Sequence, residues 1–452
     1  MKRSALLSLV ISSFLLVEVG TAASRPHYGG TVRIATRGAP LSLDPAQQAD
    51  SLMSNNLTRL LFDTLTVLND RGVLEPCLAV SWEAEPGNQR WRIKLRPDVN
   101  FADGSPLTTD VVATSLRAAN PDWKVFPAGD SVTIETLRPK PNFPAELALS
   151  RNAIVKRGGA LVGTGPFTVS EWQPGKYLAL RATENYWGNR PFVDTIQISL
   201  GQNLREQMIR FDLGKLDLVE IAPEQAHRAE MENRRTSLTQ PIELLALVFA
   251  RDIQNPSDEV SRQALALSVD RATINNVLLQ GAGAPTGSLL PAWMSGYSFL
   301  FPSAFDISQA LQLRSQSRQN VNWTLGYDIN DPLARTIADR IALNARDAGI
   351  SIQVSSNIAT DIRLARVRID SLDCQLALSR VAQALGLPEP AVSGASAEDL
   401  FSAESSLLRS KRVVPLLHLR AAVGLSSSVK NWKESPDGSW HVSDVWMEAD
   451  RP

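Results

Sequence analysis

The stretch LRPDVNFADGSPLT, at residues 95–108, says most about the fold of this 452-residue chain. It begins where a predicted strand, Arg90–Leu95, ends, and a second predicted strand, Leu78–Glu83, precedes it across a Pro-Gly-Asn turn. Within the stretch, Gly104 fits a tight turn, because glycine adopts positive φ angles at little cost. This part of the chain is therefore expected to be built from short strands and turns.

Working outward, two helix–strand units are clear on the C-terminal side. In the first, a predicted helix over Leu204–Leu213 stops at Gly214 and the chain returns as a strand over Leu216–Ile221. In the second, Asp331 is the predicted N-cap of a helix, and a strand over Ile350–Val354 follows. Helices and strands that alternate in this way predict an α/β protein with open sheets.

Other parts of the chain give simpler signals. Residues 31–36 alternate apolar and polar side chains and predict a half-buried strand, and residues 51–61 predict a helix. Residues 373–378 are expected to form a strand. Residues 384–404, rich in Ala, Ser, Gly and Pro, are expected to be a loop with short helices.

The composition excludes several classes of function. A length of 452 residues suggests about three domains. The net charge of −1 leaves no basic excess that would attract nucleic acid or anionic lipid. With four histidines and two cysteines, a metal centre or a zinc hydrolase is hard to assemble. No metal or cofactor is expected.

The N-terminus predicts export from the cytoplasm. Lys2 and Arg3 precede an apolar run at residues 5–17, and small residues follow up to Ala23. This pattern indicates a secretory signal peptide over residues 1–23, because thirteen apolar residues are too few to span a bilayer. No cysteine stands at the cleavage site, so lipid attachment there is not expected. The predicted location is periplasmic or otherwise extracytoplasmic.

Such a compartment permits a disulfide between Cys77 and Cys374. Both cysteines have apolar neighbours, so two buried free thiols are favoured over a bridge. The sequence leaves both alternatives open.

Patterns of catalysis are absent from the sequence. It has no G-x-S-x-G, H-E-x-x-H or G-x-x-x-x-G-K-[ST] motif. His418, in an apolar segment, is better explained as a satisfied core residue than as a catalytic base. The chain is therefore not expected to be an enzyme; a secreted hydrolase is the weakest of the alternatives.

A series of short motifs carries a family resemblance. Gly29–Ala35, Ser42–Pro45, Leu61–Thr66 and Leu95–Thr108 are followed by Gly163–Phe167 and further motifs as far as Pro291. Each is weak alone, but their order over about 260 residues resembles the family 5 extracellular solute-binding proteins of ABC importers of oligopeptides, dipeptides and nickel. The final third of the chain matches more loosely.

This resemblance implies a two-lobed periplasmic binding protein fold, type II-like with discontinuous lobes and a small inserted third lobe. After the signal peptide (1–23), lobe I would comprise residues 24–58, 160–247 and 415–452. Lobe II would comprise residues 59–159 and lobe III residues 248–414. The protein would be a monomer that closes on its ligand and delivers it to permease subunits in the inner membrane, without nucleic acid.

The resemblance also implies which segments face the ligand. An extended peptide-like ligand needs backbone hydrogen-bond partners, apolar pockets and charges at its ends. The candidate ligand-binding residues are Thr36, Arg37, Leu43, Asn55, Asn56, Phe249, Arg251, Trp293, Tyr297, Ser379 and Arg380. Arg251 or Arg380 would hold a ligand carboxylate, with a surface or interlobe ion pair as the alternative. Trp293 is the tryptophan to test first in the cleft.

Two departures from the family pattern affect the expected ligand. Ala250 and Arg251 stand where many relatives have Asn-Thr. Residues 379–384 are basic where peptide-binding relatives carry an acidic segment that holds the peptide amine. The main hypothesis is an importer's solute-binding component for a peptide-like or other small organic solute. The alternative is a periplasmic sensor or scaffold of the same fold that has lost transport.

Overall fold

The computed structural model describes residues 25–48, 51–316, 321–357, 359–392, 394, 396–433 and 435–448. The predicted signal peptide over residues 1–23 lies outside these residues. Within them, no helix combines the length and the apolar character that a membrane crossing requires.

The chain forms short strands throughout its described length. In chain order they are β1 (Thr31–Ala35), β2 (Thr66–Leu68), β3 (Leu74–Pro76), β4 (Ala79–Ala84), β5 (Arg90–Leu95), β6 (Lys124–Ala128), β7 (Ser131–Glu135), β8 (Phe167–Gln173), β9 (Tyr177–Ala182), β10 (Thr195–Ser199), β11 (Leu218–Ile221), β12 (Thr236–Leu238), β13 (Glu243–Phe249), β14 (Gly283–Pro285), β15 (Asn322–Gly326), β16 (Ser351–Ser355), β17 (Ile362–Arg368), β18 (Val413–Leu419), β19 (Ala422–Leu425), β20 (Val429–Lys430) and β21 (Trp446–Met447).

Helices pack on the faces of these sheets. They are α1 (Leu52–Leu61), α2 (Thr109–Ala119), α3 (Phe143–Glu146), α4 (Leu204–Asp212), α5 (Pro223–Met231), α6 (Pro256–Ser268), α7 (Arg271–Thr273), α8 (Ala292–Ser295), α9 (Ile307–Gln316), α10 (Ala334–Asp347), α11 (Cys374–Leu385) and α12 (Ala397–Arg409). Single turns of 3₁₀-helix lie at Ser150–Asn152, Ser298–Leu300 and Val442–Asp444, and a π-helical turn lies at Ile274–Leu278.

Three larger sheets divide the described chain into three parts, which we call lobes I, II and III. Lobe I is built on a seven-stranded sheet in the order β12-β19-β11-β1-β10-β9-β8. Lobe II is built on the four-stranded sheet β4-β5-β7-β6, and lobe III on the six-stranded sheet β14-β18-β13-β17-β15-β16. These mixed sheets with flanking helices form the two-lobed α/β architecture with an additional lobe.

The order of strands explains why lobe I is discontinuous. Strand β1 pairs in parallel with β10 and β11, and β19 returns from the far end of the chain to pair with β11. Strand β1 shows the predicted alternation, because Val32 and Ile34 are buried while Arg33 is exposed. Together these pairings hold three distant segments of sequence in one sheet.

The predicted lobe boundaries fall inside elements of the structure. The boundary at 247/248 cuts β13 and that at 414/415 cuts β18, although the two strands pair with each other in lobe III. The boundary at 58/59 lies within α1. A strand cannot be divided between sheets without losing its ladder hydrogen bonds, so both cut strands belong wholly to lobe III.

Near the end of lobe III the structure corrects one prediction and refines another. Residues 373–378, predicted as a strand, begin helix α11, where the Asp373 side chain accepts a hydrogen bond from the Leu376 N–H at 2.9 Å. Residues 384–404 are predicted as a loop with short helices, and the helix at the end of this range is the 13-residue α12, which a capping box between Ser396 and Asp399 starts. At residues 373–378 the N-terminal cap decides for a helix, because a short apolar run fits a strand or a helix equally well.

Candidate functional site

The largest cavity described lies between lobes I and III and has a volume of about 700 Å³. Lobe I contributes Arg37 and, at the start of α1, Ser51 and Leu52. Lobe III contributes residues of β13 and β17 and of the segment that leads into α10; these are Glu243, Leu245, Asp328, Asn330, Asp331, Ala334 and residues 363–368, with Ala384 from α11. The cavity is therefore an interlobe cleft rather than a pocket within one lobe.

Strand β17 presents an open edge to this interlobe cavity. On one side, β17 pairs with β13 along its whole length, from Glu243↔Arg368 to Phe249↔Ile362. On the other side, β15 pairs only with the first two residues of β17, at Leu325↔Ile362 and Gly326↔Arg363. No strand of the described chain continues the sheet beside residues 364–368.

The direction of the backbone groups at this edge follows from one hydrogen bond. The Ile369 N–H donates to the Ile242 carbonyl at 2.7 Å, so the odd-numbered residues of β17 direct their backbone groups toward β13. The alternate residues Leu364, Arg366 and Arg368 therefore direct their N–H and C=O groups toward the open edge. Such a row of donors and acceptors can pair with an added extended chain.

Arginine side chains surround the edge, and they differ in their partners. Arg366 forms ion pairs with Glu243 and, at 3.4 Å, with Asp331. Burial opposes the charge of Arg366, but the two carboxylates outweigh it and hold its pKa above the ordinary value. Arg363 also lines the cavity, and its side chain forms no hydrogen bond or ion pair with another described residue. Arg363 is thus a cation that remains available to a bound anion.

A smaller cavity of about 230 Å³ lies where the three lobes meet. Gln48 and Asn55 line it from lobe I, Arg151 from lobe II, and Asp370 and Arg380 from lobe III. Arg380 forms an ion pair with Asp370 through its Nε. This small polar cavity therefore already holds one neutralised pair of charges.

Three of the predicted ligand-binding residues line these two cavities. Arg37 reaches the interlobe cavity, while Asn55 and Arg380 reach the smaller one. The backbone N–H and Nε of Arg37 both donate to Glu220, at 2.7 and 3.2 Å. Arg380 forms its ion pair with Asp370 inside lobe III, so the pair is neither on the surface nor between lobes.

Thr36, Leu43 and Asn56 lie in the core of lobe I instead of facing a cavity. Thr36 is fully buried, and Leu43 packs in the apolar core of the lobe. The Asn56 amide donates to the Gly438 carbonyl at 3.2 Å and accepts from the Trp440 N–H at 2.8 Å. Asn56 is predicted to bind ligand, but in the structure its side chain uses these hydrogen bonds to attach the C-terminal segment to α1.

Phe249 and Tyr297 are core residues of lobe III. Phe249 is 2% exposed and lies under the Arg262 guanidinium, 4.3 Å from its ring centroid. Tyr297 is 4% exposed and donates its hydroxyl hydrogen bond to Glu404 at 2.9 Å. Both side chains are therefore used by packing, which explains the difference from their predicted cleft positions.

The remaining predicted residues do not line either cavity. Arg251 is exposed in the turn after β13, and Ser379 is half-buried on α11. The half-buried Trp293 donates its indole N–H to the Pro241 carbonyl at 2.9 Å. Trp293 thus fastens the entry to β13 rather than contacting a cavity-bound molecule.

The main feature that the sequence analysis missed is β17 itself. Its sequence, IRLARVR, intersperses three basic residues among four apolar ones, as in a strand that is only partly buried. The basic residues at 363, 366 and 368 were the available signal. The sequence of a strand does not show whether both of its edges are paired. Only the order of strands in the sheet shows that β17 borders a cleft.

The arrangement is suited to binding an extended molecule. Among the described residues, no group of three or more His, Cys, Asp or Glu side chains is placed to hold a metal ion. The interlobe cavity instead combines backbone donors and acceptors with charged side chains of both signs. Such surroundings can fix the orientation of an extended polar solute.

Comparison with known proteins places this geometry in a family. The sequence profile described as bacterial extracellular solute-binding proteins, family 5 middle, matches residues 73–392. Protein XP55 of Streptomyces lividans is 27% identical over 334 residues, which cover 65% of this chain and 61% of XP55. The probable D,D-dipeptide-binding periplasmic protein DdpA of Escherichia coli K12 is 24% identical over 362 residues, 70% of this chain and 68% of DdpA. The chain thus spans roughly three-fifths to two-thirds of these relatives.

Solved structures show the same fold at low sequence identity. NikA from Brucella suis, in complex with Fe(III)-EDTA, has a TM-score of 0.78 and 18% identity over 93% of this chain and all of that chain. The oligopeptide-binding protein AppA of Bacillus subtilis, with a nonapeptide, has a TM-score of 0.76 and 15% identity over 94% of this chain and all of that chain. Since the profile covers well over half of the sequence, the chain belongs to the bacterial extracellular solute-binding proteins of family 5.

Proposed function

We propose that this protein is the extracytoplasmic solute-binding component of an ABC importer, and that it captures a peptide-like solute between lobes I and III. The observation that carries the proposal is the open edge of β17 beside a cavity of about 700 Å³. Sites for small molecules commonly enclose about 300–1,000 Å³, so the cavity has a suitable size.

Backbone recognition would give the binding mode. An extended peptide laid beside residues 364–368 would add a strand to the sheet and pair with the backbone N–H and C=O groups that Leu364 and Arg366 direct toward that edge. Recognition through the backbone depends little on the peptide's side chains. The site would therefore accept a class of peptides rather than a single sequence.

Charge would set the orientation of the solute. Arg363 lines the same cavity and has no partner within the described chain, so it can meet a carboxylate at one end of the ligand. The carboxylates of Glu243 and Asp331 are engaged by Arg366. This role, assigned by sequence to Arg251 or Arg380, therefore passes to Arg363.

The family supports the transport step. Relatives include proteins named for binding D,D-dipeptides, oligopeptides and nickel, all of them binding proteins rather than enzymes. By the same logic this chain would deliver its solute to permease subunits in the inner membrane, as a monomer.

Closure would bring two bodies together around the solute. Lobe I supplies Arg37, Ser51 and Leu52, and lobe III supplies β17 and its neighbours. In this proposal lobe III runs from residue 242 to residue 420, so that β13 and β18 move as a unit with β17. Bound solute stabilises the closed form only through contacts to both lobes.

A thermal-shift screen with native mass spectrometry would identify the solute. Tri- to pentapeptides are compared with sugars and amines of similar mass, and each hit is then compared with versions that are N-methylated at successive residues. We expect peptides to raise the melting temperature, and methylation at alternate positions to abolish the effect. Equal binding of all methylated versions would contradict edge recognition.

Small-angle scattering and import assays complete the test. A peptide that binds should reduce the radius of gyration, and import into proteoliposomes that hold the partner permease should depend on this protein. If no compound raises the melting temperature and no compaction occurs, the proposal fails. Binding without import would instead favour the sensor or scaffold alternative.

A further inference from the structure

A second cavity, on lobe III, has no place in the proposed function. It has a volume of about 420 Å³ and shares no lining residue with the interlobe cavity. We call it the lobe III groove, and its walls come from α6, α12, the segment around residues 301–304 and the start of β18. It is thus formed wholly within one lobe and would persist whether the two lobes are open or closed.

The walls of the lobe III groove are apolar. Leu267, Phe301, Phe401 and Leu408 line it, together with residues 413–415. The rings of Phe301 and Phe401 lie against each other, with centroids 5.0 Å apart. Water in contact with such walls is displaced favourably by an apolar molecule.

The charged residues of the lobe III groove are all cations. Arg262, Arg271, Arg409 and Lys411 line it, and no carboxylate does so among the described residues. Arg262 is neutralised by Asp258 at 2.8 Å. The other three form no ion pair within the described chain, so the groove carries an uncompensated positive charge.

Arg271 is the most unusual of these cations, because it is only 4% exposed. Its donors reach backbone carbonyls, with Nε 3.0 Å from Pro415 O and Nη1 3.0 Å from Ala266 O. Its Nη2 makes no hydrogen bond within the described chain. Carbonyl dipoles offset part of the free-energy cost of burying the Arg271 guanidinium. A bound anion would offset more of this cost, because it carries a full negative charge.

We propose that the lobe III groove binds a small amphiphilic carboxylate, with its apolar tail against Phe301, Phe401 and Leu408 and its carboxylate among Arg271, Arg409 and Lys411. Charge complementarity selects this occupant: the apolar walls alone would accept any alkyl chain, whereas three unpaired cations favour an anionic headgroup. A straight chain of about ten carbons fits a groove of this volume.

Calorimetric titration of the full mature protein with decanoate tests the inference. 1-Decanol and decyltrimethylammonium, each with the same tail, serve as neutral and cationic probes. The double variant Arg409→Gln/Lys411→Gln removes two cations and keeps side chains of similar length. Arg71→Gln/Lys215→Gln is the matched control, since both residues are exposed on other parts of the chain and the change in charge is the same.

We expect decanoate to bind the wild type and the control equally. Affinity should fall about a hundredfold in the Arg409/Lys411 variant, because it removes two charge-assisted contacts and each is worth about a factor of ten. Decanol should bind more weakly than decanoate, and decyltrimethylammonium should not bind. The inference is overturned if decanoate fails to bind or if the Arg409/Lys411 variant retains full affinity for it. It is also overturned if decyltrimethylammonium binds with the affinity of decanoate. None of these outcomes depends on the interlobe cavity or on the peptide proposal.

Discussion

Asn55 on helix α1 and Arg368 on strand β17 meet across the gap between lobes I and III. With the Asn55 amide oxygen turned toward lobe III, it accepts hydrogen bonds from both Nη atoms of Arg368, at 3.2 Å from Nη2. Arg368 lines the interlobe cavity and Asn55 lines the smaller cavity at the junction of the lobes. This polar contact thus connects the two sides of the proposed binding cleft.

Replacing Asn55 should loosen the two lobes. A hydrogen bond to a charged group contributes about 1.5–3 kcal/mol, so Asn55→Ala weakens the arrangement in which the lobes touch. We expect the variant without ligand to have a larger radius of gyration than the wild type in small-angle scattering. Gln173→Ala, on the exposed face of lobe I, is the control. Identical scattering curves for Asn55→Ala and wild type would show that this contact does not hold the lobes.

Tyr297 provides a test that separates packing from ligand contact. Its hydroxyl donates to the buried Glu404, which also accepts from the Ser288 hydroxyl at 2.6 Å and from the Leu289 N–H. Burial raises the pKa of Glu404, and these donors partly counteract that rise. Tyr297→Phe removes one donor, so we expect the free energy of unfolding to fall by about 1–3 kcal/mol.

Urea denaturation measures this loss, and peptide affinity should remain unchanged in the folded variant. Tyr177→Phe is the control, because the Tyr177 hydroxyl makes no hydrogen bond within the described chain. A stable Tyr297→Phe variant that had lost peptide binding would instead show that Tyr297 contacts the ligand, as the sequence predicts.

The sequence predicted the framework of lobe I well, because local signals there agree with tertiary structure. The strand predicted at residues 31–36 is confirmed as β1. The predicted helix–strand unit that ends at Ile221 is confirmed as α4 and β11. In each case a periodic apolar pattern is closed by a stop signal, as at Gly214, which adopts a φ of 67°. Order of motifs along the chain then gave the family.

The candidate site was harder to predict, because cavity walls depend on sheet order rather than on local pattern. Phe249 is the last residue of β13, a strand that lines the interlobe cavity, yet its side chain packs in the core of lobe III. The side chain of Tyr297 is likewise buried in that lobe. Arg363 sits in a strand that the sequence analysis did not identify, and its role depends on where β15 stops pairing. No periodicity in one sequence records where a neighbouring strand ends.

The two cysteines should behave as unreactive thiols in the folded protein. Both are free, which answers the question that the sequence left open. Burial, with a smaller effect of Asp63, raises the pKa of Cys77 far above its ordinary value, and burial raises that of Cys374 to about 11. At pH 8 we expect slow reaction with an aromatic disulfide reagent, and two equivalents of thiol after unfolding. Rapid release of two equivalents from the folded protein would contradict this.

Asp63 should make the stability of the protein depend on pH. Burial raises its pKa to about 6, although Trp187, Thr164 and Tyr186 donate hydrogen bonds to it at 2.8, 2.9 and 3.2 Å. The folded pKa exceeds the unfolded value of 3.8, so the folded state binds more protons between these pH values. The contribution of Asp63 to the unfolding free energy is therefore greatest below pH 4 and decreases as the pH rises to 6.

The Asp63→Asn variant isolates this effect. From pH 4 to pH 6 the wild type should lose about 2 kcal/mol relative to the variant, because one unit of pKa shift corresponds to about 1.36 kcal/mol and the titration is incomplete at both ends of this range. Urea unfolding at half-unit intervals of pH measures the difference, and groups other than Asp63 cancel in the comparison. Parallel stability curves for the two proteins would show that Asp63 does not titrate in this range.

Arg363 should decide whether the protein distinguishes a free carboxylate from an amide. It lines the interlobe cavity beside the open edge of β17 and has no partner in the described chain, so a bound carboxylate would be its first counter-ion. Arg363→Gln keeps a hydrogen-bond donor and removes the charge. We expect affinity for a peptide with a free C-terminus to fall about 10- to 100-fold, in keeping with about 1.5–3 kcal/mol for a charge-assisted contact.

The amidated form of the same peptide provides the decisive comparison. Because it carries no terminal charge, it should bind the wild type and Arg363→Gln with similar affinity, whereas the free acid should prefer the wild type. Arg92→Gln, which alters an exposed arginine of lobe II, should leave both affinities unchanged. Calorimetry with the two peptides and three proteins measures all six values. If Arg363→Gln weakens acid and amide equally, the side chain shapes the cavity without pairing with the carboxylate, and the ligand must then be oriented by another group.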